Sequence, residues 1–254
     1  MLKKRGQVST FIIIGIVFLM AFMLIFFLRD SIREKFIGAV NQQEYLNSQL
    51  NQIKRIIDSC AAKETINAVD LLSESGGYFN PVEYITYHGM KVSILCSNIQ
   101  GQKYCNAKPL SIEEVNSRLN SYLTTKVRNC INIGSFRNKD YILTTGDFNL
   151  KTNLLGDSLN VEINYPVKLT LPETEAKTDK FVNNIKAPIG QAVLLANTII
   201  SGEATDGEFD TVTASLLSRG TYIIEERHSY PHKIYIIDFW NGKYKFYLGV
   251  EGEA

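Results

Sequence analysis

The first strong pattern along the chain is an apolar run of 21 uncharged residues, from Val8 to Leu28. At about 1.5 Å per residue, a helix of this length covers roughly the 30 Å hydrocarbon core of a bilayer. The run is apolar on every side, unlike a surface helix of a globular core, and it continues into Arg29 and Asp30 without the small-residue site of a cleaved signal. The sequence therefore predicts a retained transmembrane helix, with membrane-anchor residues Val8, Phe11, Ile14, Leu19, Phe22 and Leu28.

A second segment repeats its apolar residues at helical spacing. Residues that share one helical face are Leu46, Leu50, Ile53, Ile57 and Cys60. The pattern continues to Gly76-Gly77, a pair typical of a helix C-cap. We therefore expect a helical stalk and a first helix over residues 29–75, although Gly38 could interrupt the stalk.

Another helix is predicted to begin at Ser111, because Ser111 and Glu114 have the spacing of a capping box. Its apolar face carries Val115, Leu119, Tyr122 or Leu123, Val127 and Cys130. The stripe on this helix, like the one before it, ends in a cysteine.

Beyond Cys130 the apolar period changes to two. Alternate positions are apolar in one long stretch, at Leu159, Val161, Ile163, Tyr165, Val167, Leu169 and Leu171. Pro166 cannot donate to a strand ladder, so we expect an edge or a bulge there. Further strands are predicted near 221–226, 234–240 and 243–248, the last two joined by a hairpin at Asn241-Gly242.

These patterns predict an α+β fold, in which a transmembrane helix and helical stalk precede helices packed with a mainly antiparallel β ectodomain. The expected organisation has five parts. They are a basic leader at 1–7, the transmembrane helix at 8–28, the stalk and first helix at 29–75, a strand/helix subdomain with the cysteines at 76–135, and a β-rich C-terminal subdomain at 136–254.

The net charge of the chain argues against one class of partner. Residues 30–254 contain 23 of the 27 basic residues and all 26 acidic ones, which gives this part a formal net charge of −3. A mildly acidic domain offers no attractive field to a phosphate backbone, so nucleic acid is not an expected partner.

The four cysteines are Cys60, Cys96, Cys105 and Cys130, and they allow three pairings. We favour Cys60 with Cys130, because two helices packed by their apolar stripes would bring the stripe ends together. Cys96 then pairs with Cys105 across a short polar loop. Zinc binding and reduced buried thiols are the alternatives, although the chain contains no C-x-x-C pair. Disulfides favour an oxidising exterior.

A resemblance appears at the N-terminus. Lys3-Lys4-Arg5-Gly6-Gln7-Val8-Ser9, followed at once by the apolar run, resembles the class III signal of archaeal type IV pilins and related surface proteins. The resemblance implies processing between Gly6 and Gln7, with the apolar helix kept on the mature chain. Many pilins have a glutamate at the fifth mature position, where this chain has Phe11.

The rest of the chain resembles an uncharacterised family of N-terminally anchored archaeal proteins. The shared order is an anchor, a helix ending in Cys60, then Gly76-Gly77-Tyr78 and Pro81, a helix ending in Cys130, and a strand with Tyr165-Pro166-Val167. This resemblance implies an architecture but does not indicate an activity.

Candidates for chemistry are few. His228 and His232, with Glu225 and Glu226 before them, have a metal-like spacing, but Pro231 favours a turn, so we expect no metal and no cofactor. The adjacent acids of Glu113-Glu114 and Glu225-Glu226 should point apart, and no hydrolase or phosphate-loop motif occurs. Aromatic residues near the C-terminus favour core over a binding patch; they are Tyr235, Phe239, Trp240, Tyr244, Phe246 and Tyr247.

The leading hypothesis is therefore a single-pass, pilin-like surface protein with a structural or adhesive role and no enzyme activity. Its expected partners are the lipid bilayer and other copies or surface-assembly components. Because basic residues flank both ends of the apolar run, domain size decides the orientation: N-terminus cytoplasmic, main domain extracytoplasmic. The alternatives are a monomeric tethered module that binds a ligand or aids assembly, and a tethered hydrolase.

Overall fold

The computed structural model describes the backbone of residues 6–137 and 140–252, and the side chains of residues 14–23, 41–137 and 140–252. The helices are α1 (Gly6–Glu74), α2 (Ile112–Cys130), α3 (Ile189–Asp206) and α4 (Thr211–Leu217), with a 3-10 turn at Gly134–Phe136. The strands are β1 (Tyr84–Tyr87), β2 (Met90–Ser97), β3 (Asn106–Ala107), β4 (Ile142–Thr145), β5 (Asn149–Leu154), β6 (Ser158–Leu171), β7 (Thr174–Lys186), β8 (Tyr222–Ser229), β9 (His232–Phe239) and β10 (Tyr244–Val250).

The predicted transmembrane helix requires a correction. Within the part of the chain that the structure describes, no helix combines the length and apolarity needed to cross a membrane. This finding contradicts the span predicted over residues 8–28. The described side chains of that run are those of residues 14–23. Of the predicted anchor residues, Ile14, Leu19 and Phe22 are described and exposed, whereas the side chains of Val8, Phe11 and Leu28 lie outside the described set.

Helix α1 is continuous over 69 residues and passes through Gly38 without a break, so the predicted stalk and first helix belong to one element. At about 1.5 Å per residue it is roughly 100 Å long. Its end follows the predicted C-cap, because Gly76 and Gly77 have φ values of 69° and 87° and the Gly77 amide donates to the Leu72 carbonyl at 2.8 Å. Glycine adopts this left-handed conformation without steric cost.

The smaller sheet is built around β6. Strand β7 pairs antiparallel along one edge of β6, while β5 and β4 pair in succession along the other. The predicted alternation is present, since Leu159, Val161 and Ile163 are buried. The register shifts between Asn164 and Val167, so the bulge expected near Pro166 is confirmed. The inward face of this sheet packs against α1.

The larger sheet has the order β1-β2-β10-β9-β8, with β3 beside β2. Strands β9 and β10 form the predicted antiparallel hairpin, and Asn241 and Gly242 in its turn have positive φ values. Strand β10 pairs parallel with β2, so this sheet is mixed. Its apolar face shares one core with α1, α2, α3 and the smaller sheet.

Both favoured disulfides are confirmed. Cys60 of α1 is bonded to Cys130 at the end of α2, with 6.0 Å between their Cα atoms. Cys96 of β2 is bonded to Cys105, just before β3, with a Cα separation of 5.4 Å. Within the described residues no cysteine is free. Two disulfides are consistent with an oxidising environment.

The two disulfides should differ in their effect on stability. They close loops with sequence separations of 70 and 9 residues, for which the loop-entropy relation gives about 4 and about 2.5 kcal/mol. We expect Cys60→Ala with Cys130→Ala to lower the free energy of unfolding more than Cys96→Ala with Cys105→Ala, as measured by urea denaturation followed by circular dichroism. An equal loss, or the reverse order, would contradict this assignment.

Candidate functional site

The main candidate is a stretch of α1 that we call the apolar segment, residues 14–23. These ten consecutive residues carry no polar side chain. Successive helical residues are rotated by about 100°, so the segment is apolar around its whole circumference. Its large side chains are exposed, from 49% at Ile14 to 69% at Phe18.

The apolar segment lies well before the part of α1 that packs in the core. Leu46 is the first fully buried side chain among those described, and it follows Met23 by 23 positions, or about 35 Å along the helix. Among the described side chains that follow the apolar segment, Gln43 bonds the Thr174 hydroxyl and the Glu175 carbonyl at the start of β7.

Such exposure is costly in water. Full burial of a large apolar side chain is worth roughly 1.5–3 kcal/mol, so residues such as Phe18, Leu19 and Met20 each leave about 1 kcal/mol unrealised. Contiguous apolar surface on this scale marks an interaction site. The segment is therefore suited to bind a partner that is itself apolar and that surrounds the helix.

The core half of α1 holds the projecting half in a fixed direction. Buried residues of its stripe include Ile53, Ile57, Ala61 and Leu72. The Cys60–Cys130 bond then ties α1 covalently to α2. The Tyr244 hydroxyl of β10 and the Ser73 hydroxyl of α1 share a buried hydrogen bond of 2.5 Å, and burial raises the pKa of Tyr244.

The predicted processing site lies at the start of this element. Helix α1 begins at Gly6, followed by Gln7, and the side chain of Gln7 is outside those described. The basic residues Lys3, Lys4 and Arg5 also lie outside the described residues.

The two histidines of the metal-like motif are not brought together. His228 lies in β8 opposite Lys233, while His232 begins β9 opposite Ser229, so their side chains point to opposite faces of the sheet. His228 Nε2 lies 3.4 Å from Glu226, and His232 Nδ1 accepts from the Gly252 amide. Among the described residues, no group of three or more His, Cys, Asp or Glu could hold a metal ion.

The neighbouring acidic residues of the two predicted pairs interact with different partners. Glu113 accepts from the capping hydroxyl of Ser111, which lowers its pKa, whereas Glu114 pairs with Arg118. In β8, Glu225 pairs with Arg227, two positions along the strand and therefore on the same face. None of these contacts brings two carboxylates together.

Most of the C-terminal aromatic residues are core, as the sequence favoured. Tyr235, Phe239, Tyr244 and Phe246 are buried. Trp240 follows β9 and is half-buried, and Tyr247 of β10 is half-buried against a second, smaller apolar cluster of Ile85, Ile234 and Ile236.

One buried polar cluster was not predicted. Glu203 of α3 is 3% exposed, and both of its carboxylate oxygens accept from Lys233 Nζ of β9 at 2.9 Å. The Tyr235 hydroxyl also donates to Glu203, and burial together with this carboxylate raises the pKa of Tyr235 well above its usual range. The sequence did contain a signal for this cluster, because Glu203 follows Ile199 by one helical turn and so lies on the apolar face of α3.

Comparisons with known proteins add no assignment: no family model, curated protein or solved structure matches this chain.

The buried ion pair predicts a strong mutational asymmetry. Lys233→Met leaves the Glu203 charge buried without its partner, so we expect a loss of about 2 to 3 kcal/mol in the free energy of unfolding. Lys168→Met breaks the exposed pair with Glu175 and should change it by less than about 0.5 kcal/mol. Parallel urea titrations measure both, and similar losses in the two variants would refute a special role for the buried pair.

Proposed function

We propose that this chain is a pilin-like structural subunit that works in an oxidising, extracytoplasmic setting. In this proposal the apolar segments of several copies pack together as the core of a filament, and the α+β domains cover its outside. The observation that carries the proposal is the exposure of ten consecutive apolar residues on a helix anchored firmly at its other end.

The distribution of apolar residues favours an assembly of several copies over a simple dimer. A two-helix contact needs only one apolar stripe, as in a coiled coil, and leaves the outer faces polar. Here Val17, Leu19 and Met20 point in different directions around the helix and all are exposed. Neighbours on several sides are needed to bury them.

The α1 geometry supports the same proposal. The core end of α1 is fixed by apolar packing and by the Cys60–Cys130 bond, so each domain has a defined direction relative to its helix. Head-to-tail contacts that repeat with a constant rotation generate helical filaments when they do not close into rings.

Assembly can be tested with two matched valine variants. The full chain is purified in a mild non-ionic detergent, the detergent is removed by dialysis, and mass is followed by light scattering and electron microscopy. We expect the wild type to assemble and Val17→Asp to remain monomeric, because a charge cannot be buried unpaired among apolar helices.

Val82→Asp is the control, because Val82 is 94% exposed on the domain, far from the apolar segment in the sequence. It should assemble like the wild type. A wild-type chain that stays monomeric, or a Val17→Asp chain that assembles normally, would overturn the proposal.

Processing gives a second test. If the resemblance to class III signals holds, mass spectrometry of the protein from its native cells should find a mature chain that begins at Gln7. A Gly6→Val variant should keep its leader, because a branched side chain replaces the small residue before the cut. Mature protein that begins at Met1 would remove the pilin-like processing from the proposal.

A further inference from the structure

A cavity of about 370 Å³ opens where α1, the end of β7 and the β9–β10 turn meet. Its floor is apolar and buried, formed by Val69, Ala187 and Tyr244. Ile66, which is 48% exposed, and Trp240 form its walls. The volume lies at the lower end of the roughly 300–1,000 Å³ typical of small-molecule sites.

Trp240 is held in this wall by an unusual backbone conformation. Its φ is 53°, in the left-handed region that bulky residues rarely adopt. Half-buried tryptophan normally finds a partner for its indole N–H. Across the described part of the chain, no hydrogen bond from the Trp240 indole is present. The side chain therefore offers a ring surface and an unused donor at the cavity.

The rim of the cavity is charged. Asp70 comes from α1, Lys186 from the end of β7 and Lys243 from the hairpin turn, and all three are exposed. None of the eight ion pairs among the described residues involves any of these three side chains. Lys186 Nζ lies 4.9 Å from the Trp240 ring centroid. Two ammonium groups and one carboxylate thus surround an aromatic wall.

We propose that this cavity binds a saccharide that carries a carboxylate, such as a uronic acid unit. The C–H face of a pyranose ring is apolar and slightly positive, so it packs on the negative face of an indole. Lys186 and Lys243 bind the carboxylate, and Asp70 accepts hydrogen bonds from ring hydroxyls. The excess of one positive charge selects an acidic sugar over a neutral one.

This site is independent of the apolar segment. Ile66 and Asp70 lie more than 40 positions after Met23 on the same helix, or over about 60 Å along its axis. A filament formed through the apolar segments would leave the cavity on the outer domains. The proposed subunit would then carry a receptor for acidic polysaccharide on its surface, and saccharide binding and assembly can fail separately.

The single tryptophan makes the test direct, because Trp240 is the only source of indole fluorescence in the chain. The full-length protein is titrated with glucuronate, with glucose, which lacks the carboxylate, and with acetate, which lacks the ring. We expect the tryptophan fluorescence to change saturably with glucuronate, with a Kd of about 1 mM, because a single sugar unit makes few contacts. Glucose and acetate should bind at least tenfold more weakly.

Variants then locate the site. Lys243→Gln should weaken glucuronate binding at least tenfold, whereas Lys151→Gln, at an exposed lysine of β5, should leave it unchanged. Trp240→Phe is examined by calorimetry and should also weaken binding. Absence of any saturable glucuronate response, equal binding of glucuronate and glucose or acetate, or equal effects of the two lysine variants would overturn the proposal.

Discussion

The structure depends on the burial of one stripe of α1. Leu46, Ile53, Ile57 and Leu72 of this stripe are completely buried, where α1 meets α2 and strands of both sheets. Without this helix, the inward face of β6 and β7 would be open to water, because no other helix in the described part of the chain has comparable contact with β7. The Cys60–Cys130 bond then limits how far α1 and α2 can separate. Because α1 is one continuous helix, its apolar segment cannot fold back onto the core that the later residues of α1 help to form.

Much of the architecture was predictable because it rests on local periodicity. The stripe ending at Cys60, the capping box at Ser111, the alternation along β6 and the Asn241-Gly242 turn each follow from neighbours in sequence. The disulfide pairing followed from the two stripes, each of which ends in a cysteine. The transmembrane assignment used the apolar run alone, and within the part of the chain that the structure describes no helix is long and apolar enough to cross a membrane. The parallel pairing of β10 with β2 has no local signature.

The sites that sequence reasoning missed are built from residues far apart in the chain. Glu203 lies in α3 and Lys233 in β9, and in the sequence each is typical of an exposed charged residue. The cavity beside Trp240 combines three separate stretches, around residues 66–70, 185–187 and 240–244. Trp240 itself resembled an ordinary core aromatic, because its positive φ and its unused indole N–H are properties of the folded turn. Only tertiary structure brings such groups together.

The place of β10 in the larger sheet governs when the molecule can finish folding. β10 is the last strand of the described chain, yet it lies between β2 and β9. While a ribosome is still making residues 244–250, the β1–β2 and β8–β9 hairpins have no strand to join them, and the edges of β2 and β9 that pair with β10 stay unpaired. The larger sheet is therefore completed only after β10 has been made and has paired with both β2 and β9.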